Sequence, residues 1–252
     1  MKKISIISND KRYLTVSSLF LANGYDVKIE TPSSFCGCDI LILSVKNEYK
    51  ENDIQTIFEK IEPETVIFKG NYKIPELKGN IVYNYAENEE FVLENARLTA
   101  EAAIILAKEN SKSNISSSKA LVLGYGRIGK YLAEMLKQEG AKTYVYARRQ
   151  EVRNLAEKNG VIPISEPKDL HKYDFVFNTV PEIIISKDKT AKVSEKTLII
   201  ELASAPGGFE DTSKVLDGKG LPGKMLPTFA GKAVYDTISK VLSSNVAERT
   251  IL

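Results

Sequence analysis

Glycines occupy the first, third and sixth positions of Gly-Tyr-Gly-Arg-Ile-Gly at 124–129. The flanking residues turn that spacing into geometry. The apolar run KALVL precedes it, the helix-like stretch RIGKYLAEMLKQ leads out of it, and a second apolar run, TYVYA, follows. Strand, glycine turn, helix and strand in that order form a βαβ unit whose turn meets the unpaired N–H groups of the helix. Gly124 permits the tight turn, Gly126 leaves the backbone open to close approach, and Gly129 lets the helix lie against the strand. The helix N-terminus presents a positive dipole end to a phosphate. The pattern predicts a Rossmann dinucleotide site, with Gly124, Gly126, Arg127, Ile128 and Gly129 around a pyrophosphate.

Roughly 20 residues beyond such a loop, a carboxylate that binds ribose hydroxyls marks an NAD site. This chain has Tyr146-Ala147-Arg148-Arg149 there. Two guanidinium groups suit charge-assisted, bidentate contact with a 2′-phosphate. NADP is therefore favoured over NAD, with Glu151 the one nearby residue pulling the other way.

The rest of the chain alternates in the same manner. Before the loop, strands are expected over 4–8, 26–30, 39–44, 65–68 and 81–83, with helices over 12–23 and 52–61. After it come strands over 120–123, 143–146, 175–178 and 197–201, and helices over 128–138 and 150–159. Such alternation predicts an α/β protein with two doubly wound parallel-sheet domains. The first is a flavodoxin-like domain over 1–90, completed by a returning C-terminal helix over 230–252. A glycine- and proline-free amphipathic helix over 89–109 bridges to a Rossmann domain over 115–230. The serine-rich stretch SKSNISSSK at 111–119 reads as a linker, and SAPGG at 204–208 and GLPGK at 220–224 as loops.

Several function classes lose support. Lys and Arg total 35 against 33 acidic residues, so no basic excess points to nucleic acid or a membrane surface. No apolar run approaches the roughly 20 residues that span a bilayer. The N-terminal MKKISIISNDKRY has too short an apolar run for a signal peptide and reads as a strand. Cys36 and Cys38, one residue apart, suit neither a disulfide nor a metal site. A cytoplasmic protein with free thiols and no metal is expected.

Alcohol dehydrogenation commonly uses a histidine base. The single histidine, His171, precedes a strand, at the end of the sheet opposite the ligand crevice. It reads as a surface residue. Polar groups gather instead after two strands, at Thr179-Val180-Pro181 and at Ala203-Ser204, where they would border the nicotinamide and the substrate. Lys69 and Lys224 are candidate anchors for an anionic substrate.

Taken together, these residues resemble the A-subunit family of dipicolinate synthase. The resemblance rests on Asp10-Lys11-Arg12, on Asn95, Thr99 and Glu101 in the long helix, and on the glycine loop. It continues through Ala147-Arg148, Asn178-Thr179-Val180-Pro181, Leu202–Gly208 and Gly220–Lys224 to Pro227, Ala230 and Gly231. Ser8-Asn9 stands where that pattern has a glycine pair, and Ala205 where it has an arginine. The resemblance implies NADP-dependent oxidation of dihydrodipicolinate, a small ring dicarboxylate, to dipicolinate in sporulation. Glu101, or a water held by Thr99, would accept the proton, and Asn95 would contact the substrate. It also implies a flavoprotein-like second subunit. Two other readings stay open: a cofactor-binding partner that is inactive by itself, and an oxidoreductase of the 2-hydroxyacid dehydrogenase type with another substrate. A homo-oligomer is compatible with each.

Overall fold

The computed structural model describes residues 1–249, with side chains described through residue 244. The chain divides into two compact units, one of Met1–Asn95 with the chain from Pro222 onward, the other Ala96–Leu221. Both are parallel-sheet α/β domains.

The first unit carries β1 (Lys3–Ile7), α1 (Arg12–Ala22), β2 (Asp26–Glu30), β3 (Ile40–Leu43), α2 (Glu51–Phe58), β4 (Val66–Lys69) and β5 (Ile81–Asn84). All five strands are parallel, in the order β2-β1-β3-β4-β5. That is the flavodoxin-like order. Strand side chains alternate between faces, which splits the core in two. Ile4, Ile6, Ile40, Ile42 and Phe68 pack with Tyr13, Val16 and Phe20 of α1 and with Val234 and Ile238 of the returning helix. Ile7, Leu41, Leu43 and Ile67 pack with Phe35 and with Ile57 of α2. The returning helix crosses α1 at Gly231, where a Cβ would come within 2.3 Å of the Arg12 carbonyl oxygen. Only glycine allows that approach.

The helix α3 (Glu89–Asn110) carries the chain from one unit to the next. It is less amphipathic than expected. Leu98, Thr99, Ala100, Ala102, Ala103 and Ile104 are all buried, and the alanines keep its girth small. The serine-rich stretch at 111–119 belongs to the second unit and is structured. Asn114 Oδ1 accepts from the Ser116 N–H at 3.1 Å, Ile115 is buried, and Lys119 already begins a strand.

The second unit holds β6 (Lys119–Leu123), α4 (Arg127–Gln138), β7 (Lys142–Tyr146), α5 (Gln150–Lys158), β8 (Ile162–Ile164), β9 (Phe175–Asn178), α6 (Lys187–Ala191), β10 (Leu198–Glu201) and β11 (Val215–Asp217). The order β11-β10-β9-β6-β7-β8 is the doubly wound Rossmann arrangement, with its switch point between β6 and β9. Leu121, Leu123, Val176 and Ile199 fill one layer against Ile185, Val193 and Phe209.

Two more helices follow, α7 (Leu221–Met225) and α8 (Pro227–Arg249), the second being the returning helix. GLPGK is therefore not a loop. Pro222 sits in the first turn of α7, where a missing N–H costs no hydrogen bond. The returning helix begins at Pro227 rather than 230, and residues 250–252 of that expectation lie outside the described residues. Among the described residues no helix is long and apolar enough to cross a membrane, and no group of three or more His, Cys, Asp or Glu could hold a metal ion.

Candidate nucleotide site in the second unit

Gly124 follows β6 directly at the switch point, with φ of +96°. A Cβ on it would meet Thr179 Oγ1 at 2.6 Å and Val180 Cγ2 at 2.8 Å. A Cβ on Gly129 would lie 2.3 Å from the Gly124 carbonyl oxygen, so α4 can seat against the loop only through glycine. Gly126 differs. It caps α4 with no side-chain hydrogen bond, and a Cβ there would meet nothing within 4 Å. Two glycines answer to packing, while the third opens onto space in front of the helix N-terminus. Arg127 is exposed and Ile128 half-buried in the first turn of α4.

That space is a pocket of about 390 Å³. Gly124, Tyr125 and Gly126 form one wall, Ala147, Arg148 and Arg149 another, and Val180 and Ile184 also line it. Open space before the N-terminus of α4 fits the pyrophosphate of a dinucleotide. Arg148 and Arg149 are both exposed, and Arg148 Nη1 stands 3.0 Å from Glu182 Oε2. Arg153 fastens the loop that carries them. Its Nη1 donates to the carbonyls of Ala147 at 2.7 Å and Arg148 at 2.6 Å. Tyr125 is pinned by Asn159, whose Nδ2 donates to the phenol oxygen at 2.9 Å.

The loops after β9 and β10 are shaped by two buried polar side chains. Asn178 Nδ2 donates to Glu201 Oε1 at 2.7 Å and to the Val180 carbonyl at 2.9 Å, while Asn178 Oδ1 accepts from the Val180 N–H. Glu201 also accepts backbone N–H bonds from Ala203 at 2.9 Å and Gly208 at 2.8 Å. Thr179 Oγ1 donates to the Leu123 carbonyl at 2.9 Å. The consequence is a fixed rim at the carboxyl ends of β6, β9 and β10, with Ala203 buried and Pro181 and Ser204 exposed.

The structure thus gathers Gly124, Gly126, Arg127, Ile128, Gly129, Arg148, Arg149, Thr179, Val180, Pro181, Ala203 and Ser204 at one end of one sheet. It does not bring Glu101 there. Glu101 Oε2 takes Arg97 Nη1 at 3.0 Å across one helical turn, and its side chain borders a groove with Met135 and Glu139. Those residues lie about 12–18 Å along α4 from its glycine end. Its expected part as proton acceptor has no support from this position. Thr99 is buried in α3, and Asn95 is half-buried one turn before it, in the first unit. Lys69 is engaged by its own loop, donating to the carbonyls of Gly70 at 3.2 Å and Tyr72 at 2.6 Å. Lys224 lies in the first unit, exposed on α7. His171 is exposed in a short turn before β9, at the end of the sheet away from the pocket.

Three residues of this site carry no sequence signal of their own. Glu201, Arg153 and Glu182 act through partners 23, five to six and 34 residues away, and only strand register and loop closure reveal them.

Comparison with known proteins agrees with this geometry. The A-subunit of dipicolinate synthase from Bacillus subtilis is 32% identical over 171 residues, 64% of this chain and 58% of that protein. The matched stretch thus spans little more than half of that relative. The crystal structure of the dipicolinate synthase A-subunit from Bacillus halodurans superposes with a TM-score of 0.79 at 24% identity, covering 96% of this chain and 97% of that one. The apo-structure of D-lactate dehydrogenase from Escherichia coli shares the fold, with a TM-score of 0.63 at 12% identity over 98% and 97% of the two chains. Residues 90–217, half the chain, match the family described as D-isomer specific 2-hydroxyacid dehydrogenase, NAD binding domain, and the chain belongs to that family.

Proposed function

We propose that this chain is an NADP-dependent oxidoreductase that converts a dihydrodipicolinate-type ring acid to dipicolinate, a CH–CH oxidation serving sporulation in the cytoplasm. The observation that carries the cofactor half is the pair Arg148 and Arg149 on the wall of the glycine-loop pocket, where an NAD site would present a carboxylate. The substrate half follows the similarity to the Bacillus subtilis dipicolinate synthase chain.

When bound, the nicotinamide ring supplies a hydride acceptor at its C4 carbon. The residues of this chain do the rest by position. Gly124 to Gly129 receive the pyrophosphate on the backbone and dipole of α4, and Arg148 and Arg149 take the 2′-phosphate. Thr179, Val180, Pro181 and Ala203 border the nicotinamide, and Ser204 holds a substrate carboxylate. Thr99 holds a water that takes the proton. Loss of a hydride and a proton makes the ring aromatic, which supplies driving force. Orientation then matters more than a strong base, in keeping with a histidine remote from the pocket. A second, flavoprotein-like subunit works beside it.

The test is NADPH formation from NADP and dihydrodipicolinate, with the chain alone and with a co-expressed second subunit. Turnover by the chain alone supports the proposal. Turnover only with the second subunit makes this the cofactor-binding part of the same enzyme. The family match favours one other reading, oxidation of a 2-hydroxy acid, and turnover of such acids in place of the ring acid would overturn the proposal.

A further inference from the structure

The glycine loop of the second unit holds one bulky residue. Tyr125 stands between Gly124 and Gly126, both of which lack the Cβ that narrows backbone freedom. On one side the loop is fixed. The Gly124 N–H donates to the Tyr146 carbonyl at 3.0 Å, and Thr179 and Val180 close against Gly124. On the other side Gly126 faces open space, and no side chain caps α4 there. The middle of the loop can be held only through Tyr125.

Tyr125 is held at its far end. The residue is 7% exposed although it lines the pocket, so its ring is packed inside rather than spread over the mouth. Its phenol oxygen accepts from Asn159 Nδ2 at 2.9 Å, a contact between segments 34 residues apart. Asn159 is the C-cap of α5 and is itself exposed.

The point to which Tyr125 is tied does not move freely. The Asn159 carbonyl accepts from Lys137 Nζ of α4 at 2.8 Å. The Asn159 N–H donates to the carbonyls of Leu155 and Ala156, both at 3.1 Å. Gly160, with φ of +71°, then turns the chain out of the helix. None of these contacts uses the Asn159 amide. The helix can end in the same way without that side chain, which leaves the tether to Tyr125 as the work of the amide.

We propose that Asn159 is a positioning residue for dinucleotide binding, holding Tyr125 so that the backbone from Gly124 to Gly126 is arranged in advance for a pyrophosphate. This role rests on the proposed nucleotide site and deepens it by naming a residue that tunes the site without touching the ligand. Ordering a loop flanked by two glycines would otherwise oppose binding, and a tether made beforehand removes that cost. The pyrophosphate is common to NADPH and NADH, so the tether acts on both alike. Arg148 differs, because it faces a phosphate that only one of them carries.

Calorimetric titration of the full chain with NADPH and with NADH tests this in Asn159→Ala, Tyr125→Phe and the double variant. Each single substitution is expected to weaken both nucleotides by one common factor of about three to ten, the scale of one lost hydrogen bond. The thermal midpoint should stay close to that of the wild type, since Asn159 is exposed. The double variant should bind no more weakly than either single one, because both remove the same bond. Asn159→Asp can accept from the phenol O–H instead and should bind more tightly than Asn159→Ala. A loss confined to NADPH, additive losses in the double variant, or an Asn159→Asp protein no better than Asn159→Ala would overturn the role. If the wild type binds neither nucleotide, the nucleotide site and this role fall together. If it binds them and both single variants bind equally well, the role alone falls.

Discussion

Asn178 and Glu201 are register partners on the last residues of β9 and β10, and their side chains meet at 2.7 Å inside the protein. Because Glu201 also receives the N–H groups of Ala203 and Gly208, one carboxylate fixes both loops that rim the second unit's crevice. Glu201→Gln keeps the shape but turns an amide donor toward backbone donors. A loss of about 1–3 kcal/mol is expected in urea unfolding, together with weaker NADPH binding. Unchanged stability would show that the loops do not depend on this carboxylate.

The glycine loop separates packing from binding. Gly126→Ala places its methyl in open space, so unfolding stability should fall by no more than about 1 kcal/mol, the scale of an altered helix cap. NADPH affinity should nevertheless drop at least tenfold, since that space is where the proposed function puts the phosphate. Gly129→Ala drives a methyl into the Gly124 carbonyl. It should lose both affinity and about 1–3 kcal/mol of stability. Calorimetry and denaturant unfolding on the two variants read the contrast.

Arg148 is held by Glu182 at 3.0 Å, both side chains being more than half exposed. Such a pair is worth little in water, and a phosphate can displace the carboxylate. Arg148→Ala should weaken NADPH by about 10- to 100-fold, the equivalent of a lost hydrogen bond between charged groups at about 1.5–3 kcal/mol. NADH should change little. Glu182→Gln should tighten NADPH and leave NADH alone, as read by nucleotide fluorescence titration.

Four buried or half-buried tyrosines cluster beyond the carboxyl ends of β1 and β3. Tyr13 and Tyr85 share a hydrogen bond and both reach the Leu43 carbonyl, and Tyr49 donates to the Ile7 carbonyl. Burial pushes the phenols of Tyr13, Tyr49, Tyr72 and Tyr85 upward. The unfolded chain ionises these groups near pH 10 while the folded chain keeps its protons, so the unfolded state binds fewer protons above that pH. Stability should therefore be level up to about pH 10 and fall beyond it, by up to about 1.4 kcal/mol per pH unit for each such phenol. Urea midpoints between pH 8 and 11 check the sign, and Tyr85→Phe should make the decline shallower.

The two thiols should part company. Cys36 is exposed, whereas burial pushes the Cys38 thiol up to about 11. At pH 8 a disulfide-exchange reagent should modify one thiol per chain rapidly, and Cys36→Ser should abolish that fast phase.

Much of this architecture is legible in the chain. Ile40–Leu43 announces a strand buried on both faces because four apolar residues follow one another, and the glycine loop announces the βαβ unit because each glycine has a steric reason. Edges are harder. β8 contains Pro163 and β11 has three residues, and neither offers the periodicity of a central strand. The site is legible where local chain geometry builds it, as in the glycine loop and in Arg148 and Arg149, which follow the adjacent strand β7. It is not legible where distant segments meet, as Asn178 and Glu201 do. Glu101 shows the opposite error. Arg97 four residues earlier offered a helical ion pair, and that local partner takes the side chain.

The most direct test is calorimetric titration of the wild-type chain with NADPH and NADH, repeated with Gly126→Ala. NADPH is predicted to bind at least tenfold more tightly than NADH, and to lose that binding in the variant. Equal affinity for both nucleotides would contradict the phosphate-pocket reading of Arg148 and Arg149, and no binding of either would contradict the nucleotide site itself.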